Sequence, residues 1–104
     1  MNTVEQLRAA KALIDTPEKY FVGYHDAELE DGKRVTHRNK RAVKYSLCGA
    51  WRMSKSPWVI LTAFCNVVGD DRKCMADFGK LHHVELMALF DRAIADAGQA
   101  EVQS

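Results

Sequence analysis

The longest apolar run of the sequence, from Trp58 to Val68, limits the folds that this chain can adopt. Its β-branched residues are compatible with a buried strand, but it is long for one. Pro57 precedes it and Gly69 follows it, and Pro in the first turn and Gly after the last turn are typical of helices. The run is far shorter than the roughly 20 residues that span a membrane. We therefore predict a buried helix here, with a strand as the alternative.

Apolar residues recur at helical spacing in three further segments. A first helix is predicted over residues 3–15 with Thr3 as its N-cap, a second from residue 36 or 39 to residue 53, and a last one over residues 83–97 with Gly98 as its stop. The positions on one face of each helix are, in chain order, Val4, Leu7, Ala10 and Ile14, then Val43, Leu47, Ala50 and Trp51, then Leu86, Met87, Phe90, Ala93 and Ile94.

The fold class predicted from these segments is all-α, with four or five helices around one core. A short polar excursion is expected near residues 24–36, where Asp31-Gly32 suits a hairpin turn. An irregular acidic loop is the alternative. A chain of 104 residues corresponds to one domain, predicted over residues 1–98 with residues 99–104 as a flexible tail.

The basic residues of this chain are concentrated in one segment. From Lys33 to Lys55 there are eight Lys or Arg and no acid, whereas the rest of the chain has seven Lys or Arg against fourteen Asp or Glu. The net charge of +1 is therefore the sum of a basic block and an acidic remainder. Such a block is typical of proteins that bind an anionic partner or that pair these charges internally. The predicted partner-binding residues are Arg34, Arg38, Lys40, Arg41, Lys44, Arg52 and Lys55.

Two interpretations of this block compete. On the predicted helix, positive charge would crowd the end that the helix dipole disfavours, and a phosphate or an acidic partner would relieve that cost. Alternatively, the block pairs with the acidic segment just upstream, although exposed ion pairs contribute only about 0–1 kcal/mol each. The acids of that segment are Asp26, Glu28, Glu30 and Asp31. Nucleic acid and an acidic protein surface both remain open as partners.

Four residues of the last third have side chains that can bind zinc, namely Cys74, Asp77, His82 and His83. Their spacing differs from that of zinc fingers and knuckles, so no metal and no cofactor is predicted. We expect His83 to be structural, with a hydrogen bond to the Asp77 loop that fixes the start of the last helix.

No catalytic residue is predicted. A cysteine nucleophile served by His25 or His83 is conceivable, but no nucleophile motif surrounds any cysteine. Cys48 and Cys65 lie in apolar runs and are expected to be buried and unreactive, whereas Cys74 is expected to react. The odd number of cysteines and the lack of an apolar signal segment indicate a cytoplasmic, reducing location without membrane contact.

Two stretches, AVKYSLCGAW and MADFGKLHHVELMALFDRAI, resemble the paired signatures of an uncharacterised family of small bacterial and phage proteins. Those signatures are W-C-x-x-G-A and a C-terminal helix of the form T-H-x-E-V-L-x-x-F-D-x-A-I. Tyr45, Ser46 and Ala76 depart from the family's tryptophan, cysteine and asparagine. The matching residues are Gly49, Ala50, Asp77, His83, Glu85, Phe90, Asp91, Ala93 and Ile94.

The resemblance implies a compact helical fold and a phage or mobile-element setting, but no activity. The family's cysteine is replaced by Ser46 in this chain, which argues against the interpretation of the protein as an enzyme. We therefore predict a non-enzymatic binding protein that engages nucleic acid or an acidic protein surface through a basic helix. The alternatives are a protein inhibitor of a host or defence complex and a small Cys/His-dependent hydrolase-like enzyme.

Overall fold

A computed structural model describes residues 2–23 and 25–103, with side chains up to residue 100. The described part is mostly helical, but it also holds a small antiparallel sheet, so the all-α prediction is wrong in its strict form. In chain order the elements are α1 (Thr3–Ala12), a 3-10 turn (Pro17–Lys19), β1 (Ala27–Glu28), β2 (Arg34–Val35), β3 (Lys44–Tyr45), α2 (Leu47–Met53), α3 (Pro57–Val68), α4 (Met75–Phe78) and α5 (His83–Gln103). None of these helices is both long enough and apolar enough to span a membrane.

The ends of the helices follow local capping chemistry. The Asn2 side chain accepts a hydrogen bond from the Glu5 amide at 2.9 Å, so Asn2 rather than Thr3 is the N-cap of α1. Residues 57–68 form a helix, as predicted, and Gly69 ends it in the left-handed conformation with φ of 72°. The predicted stop at Gly98 is wrong, because α5 continues to Gln103. A glycine inside a helix costs only about 1 kcal/mol, which a long packed helix tolerates.

The core lies where α1, α3 and α5 pack together. Phe64 of α3 stands at its centre, with its ring edge-to-face against Phe90 at 4.9 Å and Phe78 at 5.3 Å between ring centroids. The apolar faces predicted for the first and last helices also contribute five buried side chains, namely Leu7, Ala10, Ile14, Leu86 and Ala93; Ile14 lies two residues after the end of α1. The spacing of apolar residues in these two helices is therefore confirmed as a core signal.

Residues 24–36 contain the predicted hairpin, which the structure extends to a third strand. The strand order is β2-β1-β3, with β1 antiparallel to both neighbours. The turn between β1 and β2 includes Gly32 at φ of 86°, a backbone conformation that favours glycine. The sheet therefore joins the chain before residue 36 to the segment that leads into α2.

The predicted basic helix is wrong over its first half. The Ser46 hydroxyl accepts a hydrogen bond from the Gly49 amide at 3.1 Å, so α2 begins only at Leu47. Val43, expected on the apolar face, is 47% exposed because it lies outside the helix. Residues 36–43 form turns between β2 and β3, and the cations of this segment project from turns and strands.

Candidate nucleic-acid interface

Pairing across the sheet places two cations on the face that is turned away from the core. Glu28 of β1 lies opposite Arg34 of β2 and Lys44 of β3, so the three side chains share one face. Ala27, the neighbour of Glu28, is fully buried on the other face. The sheet therefore presents Arg34 and Lys44 outward, on either side of one carboxylate.

We call the seven predicted partner-binding residues the basic surface. Arg38, Lys40 and Arg41 of this set lie in the turns between β2 and β3, while Arg52 lies on α2 and Lys55 just after it. All seven are exposed except Lys44, which is half-buried. The sheet, the adjoining turns and α2 thus carry a continuous stretch of the chain that is rich in accessible positive charge.

Ion pairing with the upstream acids accounts for one residue of the basic surface. Arg52 Nη1 lies 2.6 Å from Asp26 Oδ1. Among the side chains that the structure describes, no other member of the basic surface has a carboxylate within 4.0 Å. Asp26, just before β1, and Glu28, within it, bind histidines instead. His37 Nδ1 lies 2.8 Å from Asp26, and His25 Nε2 lies 2.8 Å from Glu28. The internal-pairing interpretation is therefore wrong for most of the block.

Asp26 organises this part of the molecule. Its carboxylate, 10% exposed, accepts hydrogen bonds from the His37 amide at 3.2 Å and from Arg52 at 2.6 Å. Burial by itself would raise the pKa of Asp26, but the hydrogen bonds from His37 and the charge of Arg52 outweigh it, and the pKa lies below its ordinary value. The Ser46 amide donates to the Asp26 carbonyl oxygen at 3.1 Å. The turn after β2, the start of β1 and α2 are thereby held together.

Gly49 allows α2 to lie directly against the backbone of Asp26. A Cβ atom at position 49 would be 1.9 Å from the Asp26 carbonyl oxygen, so only glycine fits without a shift of the main chain. This contact lies three residues before Arg52, whose side chain binds the Asp26 carboxylate.

Trp58 departs from the prediction that the apolar run is buried throughout. Ile60, Ala63 and Phe64 of this run are buried, but Trp58 is 72% exposed. Its ring meets that of Trp51 edge-to-face, with 5.9 Å between ring centroids. The indole N–H of Trp51 donates to the Pro57 carbonyl oxygen, which fixes the inner ring.

Neither Asp26 nor Trp58 is among the residues that were predicted from the sequence to form the site. The Asp26 contacts join residues 11 and 26 positions apart, for which local patterns carry no signal. For Trp58 a signal exists, because Thr62 and Asn66 follow at four-residue spacing and both are polar. That spacing places the three side chains on one exposed stripe of α3.

The residues of the last third whose side chains can bind zinc do not come together at one site. His83 Nε2 lies 2.8 Å from the carbonyl oxygen of Ile14, and the His83 ring is 5.8 Å from that of Tyr20. The Asp77 carboxylate instead accepts from the Cys74 amide at 2.9 Å and caps α4. Within the described residues, no three His, Cys, Asp or Glu side chains are placed to hold a metal ion. The hydrogen bond predicted between His83 and the Asp77 loop is therefore wrong, since His83 binds the carbonyl oxygen of Ile14, two residues after the end of α1.

The cysteines differ in exposure. Cys65 is buried and Cys74 is exposed, as predicted, whereas Cys48 is only half-buried. Burial raises the pKa of both Cys48 and Cys65, which keeps these thiols protonated at neutral pH. The two histidines considered as their bases form hydrogen bonds to other groups, His25 to Glu28 and His83 to the carbonyl oxygen of Ile14.

Comparison of the chain with protein-family models, with curated proteins and with solved structures found no match. The resemblance to the small bacterial and phage family stays a prediction. A functional proposal therefore depends on the geometry and charge of the site itself.

Proposed function

We propose that this protein is a non-enzymatic nucleic-acid-binding protein that holds phosphate groups with the basic surface. One observation carries the proposal: Arg52 is the single member of that surface with a carboxylate within 4.0 Å among the described side chains. Neighbouring unpaired cations repel one another, and a chain of phosphates relieves that repulsion while releasing its own counterions. The charge is thus available for a partner.

The arrangement of these cations suits a polyanion. Three of the six members without a carboxylate within 4.0 Å among the described side chains are arginines, namely Arg34, Arg38 and Arg41. A planar guanidinium group binds two phosphate oxygens at once. The Asp26 contacts anchor both ends of the segment, because they tie the turn at His37 and the helix at Arg52 to β1. Less conformational freedom is then lost on binding.

The proposal is tested by the salt dependence of binding. The wild-type protein should bind labelled single- and double-stranded oligonucleotides of about 12 nucleotides, with log affinity falling linearly against log salt concentration. Replacing four members of the basic surface by Ala should flatten that slope by about 3, since each phosphate contact contributes roughly 0.7–0.9. The four are Arg38, Lys40, Arg41 and Lys44. Fluorescence anisotropy between about 50 and 300 mM salt measures the slope.

A matched control removes the same charge elsewhere. The control variant replaces four exposed cations outside the basic surface by Ala, namely Arg8, Arg72, Lys73 and Lys80. Its slope should stay close to that of the wild type. Equal losses in the two variants would mean that net charge alone drives binding. If the wild type binds neither oligonucleotide at low salt but binds an acidic polypeptide such as polyglutamate, the partner is an acidic protein surface and the proposal is wrong.

A further inference from the structure

We infer that the nucleic acid is single-stranded and that one of its bases stacks on Trp58, beside a groove between α1, α3 and α5. This inference rests on the proposed function and adds a ligand class and a residue to it.

Trp58 is an exposed ring that is held in place. Large aromatic side chains normally bury most of their surface, yet Trp58 is 72% exposed. Trp51 supports it edge-to-face at 5.9 Å, and Trp51 is itself fixed by its hydrogen bond to the Pro57 carbonyl oxygen. A supported indole loses little freedom when a second ring stacks on it. Every base has a π-face, so such a ring binds bases with little sequence preference.

The groove next to Trp58 has the size and walls for a flat polar ring. It encloses about 550 Å³, within the range typical of small-molecule sites. Small side chains from α3 and α5, Ala63 and Ala97, leave room between the helices. Thr62 and Asn66 line it with groups that donate and accept hydrogen bonds, as the edge of a base requires.

Charge decides which part of a nucleotide enters the groove. Asp96 lines it, and a carboxylate repels phosphate but accepts hydrogen bonds from the amino or imino groups of a base. The cations precede Trp58 in the chain, whereas the groove residues of α3 and α5 follow it. Lys44 lies before α2, Arg52 lies on α2, and Lys55 lies between α2 and Trp58. A helix of this length spans only about 10 Å. A strand can therefore leave its phosphates on the basic surface and place a base at Trp58.

A single strand fits this arrangement better than a duplex. In a duplex each base already stacks on its neighbours, and exposing one to Trp58 would require unpairing it. An unpaired strand presents its bases without that cost. Trp58 should therefore contribute to the binding of single strands and not of duplexes.

The experiment compares Trp58→Ala with the wild type on two probes, a labelled oligo-dT of about 12 nucleotides and a duplex of the same length. Affinity for oligo-dT should fall by about 5- to 150-fold, the change that corresponds to ~1–3 kcal/mol of stacking per base. Affinity for the duplex should change less than about twofold, and Trp58→Phe should restore most of the oligo-dT affinity. Val84→Ala is the matched control, because Val84 is 81% exposed at the opposite end of α5.

The outcomes separate this inference from the proposed function. If Trp58→Ala binds oligo-dT as tightly as the wild type, or weakens duplex binding equally, the stacking role is refuted while the basic surface keeps its function. If the wild type binds neither probe, both proposals are rejected. Sedimentation of the wild type and of Trp58→Ala without nucleic acid tests whether a second copy of the chain binds in the groove. Self-association of the wild type that is lost in Trp58→Ala would show that a second copy occupies it and would refute the stacking role.

Discussion

Gly49→Ala tests the contact that joins α2 to the sheet. The new Cβ atom would lie 1.9 Å from the Asp26 carbonyl oxygen and 2.8 Å from its carbon, whereas Cβ atoms essentially never approach other atoms within 3.0 Å. The obstacle is main chain, so no side-chain rotation relieves it. The same carbonyl oxygen accepts the Ser46 amide at 3.1 Å. Separation of α2 from β1 by more than an ångström must therefore lengthen or break that hydrogen bond.

The expected magnitude is the balance of three contributions. Overpacking costs about 1–3 kcal/mol. Loss of the Ser46 hydrogen bond costs about 0.5–1.5 kcal/mol. Alanine gains about 1 kcal/mol over glycine in helix propensity. The free energy of unfolding should therefore fall by about 2 kcal/mol, and the midpoint of thermal unfolding by about 8–16 °C for a domain of this size.

Urea unfolding, followed by circular dichroism of the helices, measures this change. Gly98→Ala is the matched control, because Gly98 also lies inside a helix, but among the described residues no atom beyond its chain neighbours and its own helix backbone would lie within 4 Å of the added methyl group. The control should stabilise the protein by about 1 kcal/mol. Equal stability of Gly49→Ala and Gly98→Ala would show that Gly49 does not lie directly against the Asp26 carbonyl group.

Two further predictions concern side chains that bridge distant segments. Asp26→Asn should lower the free energy of unfolding by about 1–3 kcal/mol at neutral pH, because it removes the charge that binds His37 and Arg52. The folded-state pKa of Asp26 is lowered, so its contribution is present above the unfolded-state pKa and is lost as the pH falls through the folded-state value. Urea melts from pH 7 down to about pH 2 should therefore converge for the two proteins, and a gap independent of pH would contradict this account. His83→Ala should cost about 1–2 kcal/mol, since the Ile14 carbonyl loses its partner, and should leave oligonucleotide affinity unchanged in the same assays; loss of affinity at full stability would instead make His83 a functional residue.

The helices of the core could be predicted because their signals are local. Pro57 and Gly69 mark the two ends of α3, and apolar residues three or four positions apart place Leu7 and Phe90 in the core. The predicted helix end at Gly98 was wrong. Glycine follows many helices because it readily adopts the left-handed conformation, but a glycine that stays in the right-handed conformation lets the helix continue.

The basic segment could not be predicted in the same way. Val43, Leu47 and Ala50 have helical spacing, but Ser46 caps the helix in their midst, and the preceding residues pair with β1 instead. Strands of two residues are too short to show an alternating pattern. The composition of the candidate site was thus predictable, since its charges are consecutive in the chain. The shape of the site was not predictable, because the Asp26 side chain binds residues that are far from it in the sequence.

The packing of α1 on α5 has a consequence for synthesis of the protein. Lys11 on α1 binds Asp91 on α5 at 2.7 Å, across 80 positions of the chain, and the apolar face of α1 is covered largely by α5. While the chain grows from the ribosome, the apolar face of α1, which includes Leu7, therefore stays partly uncovered until α5 has been synthesised. A nascent chain in that state presents the kind of surface that chaperones bind and that leads to aggregation. Slowing translation before residue 83 should prolong the exposure, whereas the order in which the sheet and α2 form should matter little, since both are assembled from residues 26–53.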